Sequence, residues 1–212
     1  MRYERKYVLP LNGEAMLEQA LLLHPEAFHQ PYPDRRINNI YFDTAARDCY
    51  LDNQRGISLR KKVRLRWYGA PDGAIDHPVL EEKFKRNHMG WKEIHRLPSG
   101  LTLDGILTEL RDNPVIAAAE LEPVLNNSYQ RSYRVSADGR FRVTIDQQLA
   151  FGAYEPQGFS CPYPFSDRLI VEWKYKKKDL DSAEDFARYW PFRAKRFSKY
   201  STGLEMVADP AI

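Results

Sequence analysis

Ser58-Leu-Arg-Lys-Lys-Val-Arg-Leu-Arg-Trp67 limits what this chain can become more than any other segment. Strand side chains alternate between two faces. As a strand, this run carries Arg60, Lys62, Arg64 and Arg66 on one face, against Leu59, Lys61, Val63, Leu65 and Trp67 on the other. Like charges on alternate positions repel one another unless an anion neutralises them. The same division recurs elsewhere. Arg140, Arg142, Thr144 and Asp146 oppose Phe141, Val143 and Ile145, and Glu172 and Lys174 oppose Val171, Trp173 and Tyr175. Glu81, Lys83 and Lys85 share a face, as do Tyr129, Arg131 and Tyr133, and as do Glu4 and Lys6. One such strand would be an ordinary half-buried sheet with its polar face in water. Repetition over five strands, rich in Arg rather than mixed in Thr, Ser and Gln, points to a functional concave surface.

Period-two or β-rich segments occupy residues 2–9, 36–42, 57–67, 79–85, 90–97, 129–135, 140–145 and 169–175, with a hairpin turn at Ala137-Asp138-Gly139-Arg140. Helical spacing follows Asn12 through Met16, Leu17, Ala20, Leu21 and Leu23, and recurs over 102–111, over 113–121 with Pro114 in its first turn, and from Ser182 to Pro191. About eight strands with few helices predict an α+β fold: an eight-stranded antiparallel β-barrel, a tunnel, with helices packed outside and at one end. Residues 1–212 show no linker, repeat or change of composition, so a single domain is expected.

Net charge is only +3, from 32 basic and 29 acidic residues, so a basic function must come from where the charges sit. Arginines in number favour bidentate contacts to phosphate oxygens. Carboxylates among them (Glu4, Glu81, Asp146 and Glu172) work against phosphate binding alone. They make sense where a hard divalent cation bridges carboxylate and phosphate, as Mg²⁺ or Mn²⁺ does. Only two cysteines occur, Cys49 and Cys161, which excludes a disulfide framework and a Cys-rich zinc site. The five histidines have no metal-ligand spacing. No secretory signal and no apolar run of transmembrane length is present, so a cytoplasmic protein without a transmembrane segment is expected. Stacking of nucleic-acid bases would need aromatics on the basic faces, yet Trp67, Phe84, Phe141 and Trp173 lie opposite, so no nucleic-acid partner is expected.

Eight segments then occur in order: Glu4-Arg-Lys-Tyr7, Ile40-Tyr-Phe-Asp-Thr44, the Arg60-to-Arg66 strand, Leu80-Glu-Glu-Lys-Phe-Lys85, Tyr129-Gln-Arg-Ser-Tyr133, Arg142-Val-Thr-Ile-Asp146, Val171-Glu-Trp-Lys174 and Phe197-Ser-Lys-Tyr200. Together they resemble the VTC-type polyphosphate polymerase domain, a branch of the triphosphate tunnel metalloenzymes (the CYTH-like group). The resemblance implies an ATP:polyphosphate phosphotransferase, in which the γ-phosphate of a nucleoside triphosphate joins a polyphosphate chain inside a basic tunnel with Mn²⁺ or Mg²⁺. Other tunnel enzymes are triphosphatases, and a non-catalytic polyphosphate-binding module is the third reading. Carried over, Lys6, Arg64, Arg66, Lys83, Arg131 and Arg142 are phosphate ligands and Lys92 a further one, with Arg64, Arg66, Arg131 and Arg142 closest to the chemistry. Arg60, Lys62 and Lys174 extend the same basic rows. Ser198 and Lys199 would hold phosphate at the tunnel's end, Arg196 stands where the family tends to have Lys, and Tyr129 would close the site. Glu172, with Glu4, would hold the metal. Tunnel triphosphatases commonly carry two alternate glutamates before the first-strand lysine; here Arg2 precedes Glu4, as in the polymerase branch. Any coupling to translocation would need a separate membrane-protein partner.

Overall fold

A computed structural model describes residues 2–86 and 89–209. Of the turn expected at Asn87-His-Met-Gly90, Asn87 and His88 lie outside the described residues, and Met89 and Gly90 already belong to the strand Met89–Arg96. The chain forms two compact units. One comprises the chain up to Arg35 with Tyr129–Leu149 and Phe165–Phe197; the other comprises Arg36–Ser128, Ala150–Pro164 and the chain from Ser198.

In the first unit, β1 (Arg2–Pro10) pairs antiparallel with β9 (Arg168–Lys176), and β9 pairs antiparallel with the start of β7 (Arg142–Ala153); β7 also pairs with β6 (Glu122–Val135), and these two strands have residues in both units. Register places Arg5, Trp173 and Val143 in one cross-strand row and Tyr7, Val171 and Ile145 in the next. That apolar face buries against Leu17 and Leu21 of α1 (Glu14–Leu22) and Ala183 and Phe186 of α5 (Leu180–Arg188). Trp173 stacks on Phe186 at 3.8 Å between ring centroids. Each such large apolar side chain contributes ~1.5–3 kcal/mol on burial, so the rows that hold this face inward also fix the opposite face's orientation.

In the second unit, β2 (Arg35–Asp43), β3 (Leu59–Tyr68), β4 (Val79–Arg86) and β5 (Met89–Arg96) hydrogen-bond in chain order, all antiparallel. Their apolar face (Ile40, Phe42, Val63, Leu65, Trp67 and Leu80) packs with Ile106 and Leu110 of α3 (Leu103–Arg111) and Ile116 of α4 (Pro114–Ala117). Two further helices, α2 (Asp48–Arg55) and α6 (Lys199–Ala208), and a three-residue strand, β8 (Tyr163–Phe165), are also present.

The antiparallel α+β class is as the alternation predicts, and each of the eight expected strands is present. The details differ at several ends. Asn12 does not cap α1: it lies in a 3-10 turn, Leu11–Gly13, and Gly13 precedes the helix without a side-chain cap. Thr102 does cap α3, accepting from the Gly105 N–H. The expected helix over 113–121 is only the four-residue α4, because the chain turns into β6 at Glu122. Ser182 lies inside α5 rather than at its start. Among the described residues, no helix is long and apolar enough to cross a membrane.

Candidate functional site

The face opposite the aromatic core of the first unit carries two ordered cross-strand rows. Glu4, Lys174 and Arg142 are register partners across β1, β9 and β7, and Lys6, Glu172 and Thr144 form the adjacent row. Lys6 Nζ lies 3.2 Å from Glu4 and 3.4 Å from Glu172, and donates to the Phe197 carbonyl at 3.1 Å. Lys174 Nζ lies 2.7 Å from the other oxygen of Glu172. Burial alone would lower the Lys6 pKa, but the two facing carboxylates outweigh it and raise it above the usual lysine value. One turn of pleat further on, Arg131 of β6 binds Asp146 of β7 through both donors, Nε at 2.5 Å and Nη2 at 2.7 Å. Asp146 is fully buried and Arg131 nearly so. The guanidinium lies over the Tyr129 ring at 5.2 Å. Desolvation opposes its charge, yet Asp146 holds its pKa well above the usual arginine value.

In the second unit, register sets Lys62, Lys83 and Lys92 directly opposite one another on β3, β4 and β5. Like charges so placed are destabilising. The neighbouring row runs Tyr41, Arg64, Glu81. Glu81 is the local counter-charge: its Oε2 accepts from Arg64 Nε at 2.9 Å and Nη2 at 2.6 Å, Arg66 Nη1 lies at 3.5 Å, and Lys92 Nζ reaches Oε1 at 3.1 Å. Burial would raise its pKa; Arg64, Arg66 and Lys92 together hold it far below the usual carboxylate range. Arg66 also donates to Asn39 at 3.0 Å.

The same strand edge meets the start of α6. Ser198 caps that helix, accepting from the Ser201 N–H, and takes Lys62 Nζ at 2.7 Å. Tyr200 stacks on Tyr41 at 5.1 Å and donates a short hydrogen bond to Asp43. Asp43 in turn accepts from the backbone N–H groups of Thr44, Cys49 and Tyr50. Burial, with Asp43 second, pushes the Tyr200 pKa well up, so it remains a neutral donor. One carboxylate thus ties β2, α2 and α6 together and fixes where Ser198 and Lys199 stand.

The expected site residues therefore fall into two sets, one per unit. Lys6, Glu4, Glu172, Lys174, Arg131, Arg142 and Tyr129 belong to the first unit. Arg60, Lys62, Arg64, Arg66, Lys83, Lys92, Ser198 and Lys199 belong to the second. Arg60 turns its guanidinium to the Ile57 carbonyl at 2.7 Å, and Arg196 is exposed outside any helix or strand. The central positions of Glu81, Asp146, Asp43 and Tyr200 exceed what the sequence assigned them. Glu81 and Asp146 were legible as acids on basic faces; the Asp43–Tyr200 bond spans 157 positions and has no local signal.

Among the described residues, two groups could hold a metal. Glu4 and Glu172 both point an oxygen at the Lys6 ammonium, within 3.4 Å. Hard oxygen donors converging on one cation fit a divalent ion of the Mg²⁺ type. Separately, Glu82, Glu93 and His95 each place one ligand atom within 4.8 Å of the others. By register these lie on the face opposite Glu81. There Lys61 pairs with Glu82 at 2.6 Å, and the His95 ring nitrogen lies 2.9 Å from the other carboxylate oxygen.

Comparison with solved structures places this chain in a known fold. A protein of Pyrococcus horikoshii is similar over 97% of this chain and 99% of that one, with a TM-score of 0.56 at 12% identity. A putative adenylate cyclase from Vibrio parahaemolyticus is similar over 96% and 97%, with a TM-score of 0.56 at 16% identity. A putative adenylyl cyclase from Hippeastrum, described as having a dominant triphosphatase activity, is similar over 98% and 97%, with a TM-score of 0.55 at 17% identity. The fold is thus one that this chain shares with these three proteins. The family model of the VTC domain matches residues 1–208, and the chain belongs to the VTC domain family. A search of curated proteins found no match.

Proposed function

We propose that this protein is a metal-dependent phosphoryl-transfer enzyme that moves the γ-phosphate of a nucleoside triphosphate to a polyphosphate chain. The observation that carries the reading is the Lys62–Lys83–Lys92 row, three ammonium groups at directly opposed positions of adjacent strands. Such a row is costly in the absence of an anion and well suited to one whose charge is spread along a chain. Membership of the VTC family supports the polymerase reaction in particular.

Phosphoryl transfer passes through a transition state whose charge is spread over equatorial oxygens, so catalysis is mostly positioning and electrostatic stabilisation. Arg64 and Arg66 in one unit, and Arg131 and Arg142 in the other, are the proposed grips on phosphate oxygens. Arg64 and Arg131 are held ready by Glu81 and Asp146, which fix each guanidinium plane before substrate arrives. Lys6, Lys83, Lys92 and Lys174 add point charge. Ser198 and Lys199, fixed by the Asp43–Tyr200 bond, are the proposed contacts to the acceptor chain. Glu172 and Glu4 are the proposed ligands of Mn²⁺ or Mg²⁺, which when bound would neutralise phosphate charge. A cytoplasmic setting suits the two free, half-buried thiols, Cys49 and Cys161.

A second reading, a triphosphatase with water as acceptor, is favoured by the activity described for the Hippeastrum protein. Incubation with ATP and Mn²⁺, followed by separation of free phosphate from long-chain product, decides between them. Chain product is expected, abolished by Arg64→Ala or Arg142→Ala with the fold intact. Free phosphate alone would establish the hydrolase, and neither product would leave a binding module.

A further inference from the structure

Thr144 stands on the charged face of β7 between Arg142 and Asp146, and its register partner on β9 is Glu172. The residue is 8% exposed, and its Oγ1 is shielded from solvent with no hydrogen-bond partner. The two acids beside it on that face are engaged: Glu172 with Lys6 and Lys174, Asp146 with Arg131. Two indole nitrogens, those of Trp173 and Trp190, are also without partners, but they lie within the apolar core, whereas Thr144 Oγ1 lies among charges. A buried hydroxyl left unbonded costs ~1–3 kcal/mol. Valine has the same shape, an equal preference for strands and no such penalty. A hydroxyl at this position therefore calls for a partner that the polypeptide does not supply.

We propose that Thr144 Oγ1 donates a hydrogen bond to a phosphoryl oxygen of the bound triphosphate, which makes Thr144 a binding residue of the site. The inference rests on the phosphate-binding reading above. Lys6 and Lys174 are held on Glu172 by ion pairs for which an incoming phosphate competes, and their transfer to the anion opens the row in which the hydroxyl stands. The contact is to phosphate, so it does not depend on a divalent ion.

The test is isothermal titration of inorganic tripolyphosphate into wild type, Thr144→Val and Thr144→Ser, in Mg²⁺ and in EDTA, with melting temperatures recorded alongside. Thr144→Val is expected to bind about tenfold or more weakly in both buffers, the usual worth of a hydrogen bond to a charged group. It should melt no lower than wild type, and Thr144→Ser should bind as wild type does. Unchanged affinity in Thr144→Val overturns the proposal and leaves the phosphate-binding reading standing. So does a lowered melting temperature, which would give the hydroxyl a partner inside the protein, or a loss seen only with Mg²⁺, which would assign it to the metal. An equal loss in Thr144→Ser also overturns it. A wild type that fails to bind tripolyphosphate overturns both.

Discussion

Replacing Glu81 by Gln removes a carboxylate that Arg64, Arg66 and Lys92 share, and leaves the fold's apolar rows untouched. Breaking a fully buried ion pair costs ~3–5 kcal/mol. Here the Glu81 side chain is 5% exposed and that of Arg64 19%, but that of Lys92 is 54% exposed, so water screens part of the loss. About 2–3 kcal/mol is the reasonable expectation, scaled from that range. For a chain of this length each kcal/mol lowers the melting temperature by roughly 2–4 °C, so Glu81→Gln should melt about 5–10 °C below wild type. The same change leaves three cations with less counter-charge, beside Lys62 and Lys83. Tripolyphosphate should then bind the variant more tightly and take over the role of the carboxylate. Differential scanning fluorimetry with and without millimolar tripolyphosphate measures both effects. The gap between variant and wild type should close by at least half when the anion is added. A variant as stable as wild type without anion, or a gap that the anion leaves unchanged, would refute the reasoning that Glu81 and a phosphate anion serve the same cations.

Two further outcomes follow from the buried charges. Glu81 has its carboxyl pKa depressed on folding, so its contribution to stability is complete above the unfolded value of about 4.5 and is lost as pH falls below it. Wild type should lose melting temperature steeply below that pH, and Glu81→Gln less steeply; parallel acid limbs would contradict the assignment. Asp146→Asn strips the fully buried partner from Arg131 and should lower stability by ~3–5 kcal/mol, read as a lower urea midpoint. A midpoint within error of wild type would show that Arg131 does not depend on this pair.

Much of the fold was legible because alternation and burial say the same thing in these strands. The basic strand reads correctly over its second half: Val63, Leu65 and Trp67 are fully buried and the even positions lie on the opposite face, whereas Leu59, expected on the apolar face, is exposed at the strand's start. The helices α2 and α6 were not legible, and the reasons are specific. The N-terminus of α2 is satisfied by Asp43, which accepts from Cys49 and Tyr50 six and seven residues on, and by Thr44, which accepts from Asp48, so the residue directly before the helix, Arg47, makes no side-chain cap. Helix α6 carries Gly203 in its middle, a poor helix former. A Cβ there would collide with Phe151 and Leu125, so glycine is required by packing that no local pattern reveals. The site was legible as charge on faces, but not as pairs. Glu81 with Arg64, and Asp146 with Arg131, depend on which strands become neighbours, and sequence order does not state that.

The account's central claim is that these strand faces exist to bind a chain of phosphates. Calorimetric titration of tripolyphosphate into the protein, repeated from low to high salt, addresses it without relying on turnover. Saturable binding that weakens steadily with salt, and that is lost when Lys62, Lys83 and Lys92 are all replaced by Gln, is the predicted result. Absence of binding in wild type, or affinity that survives removal of all three lysines, would contradict the claim.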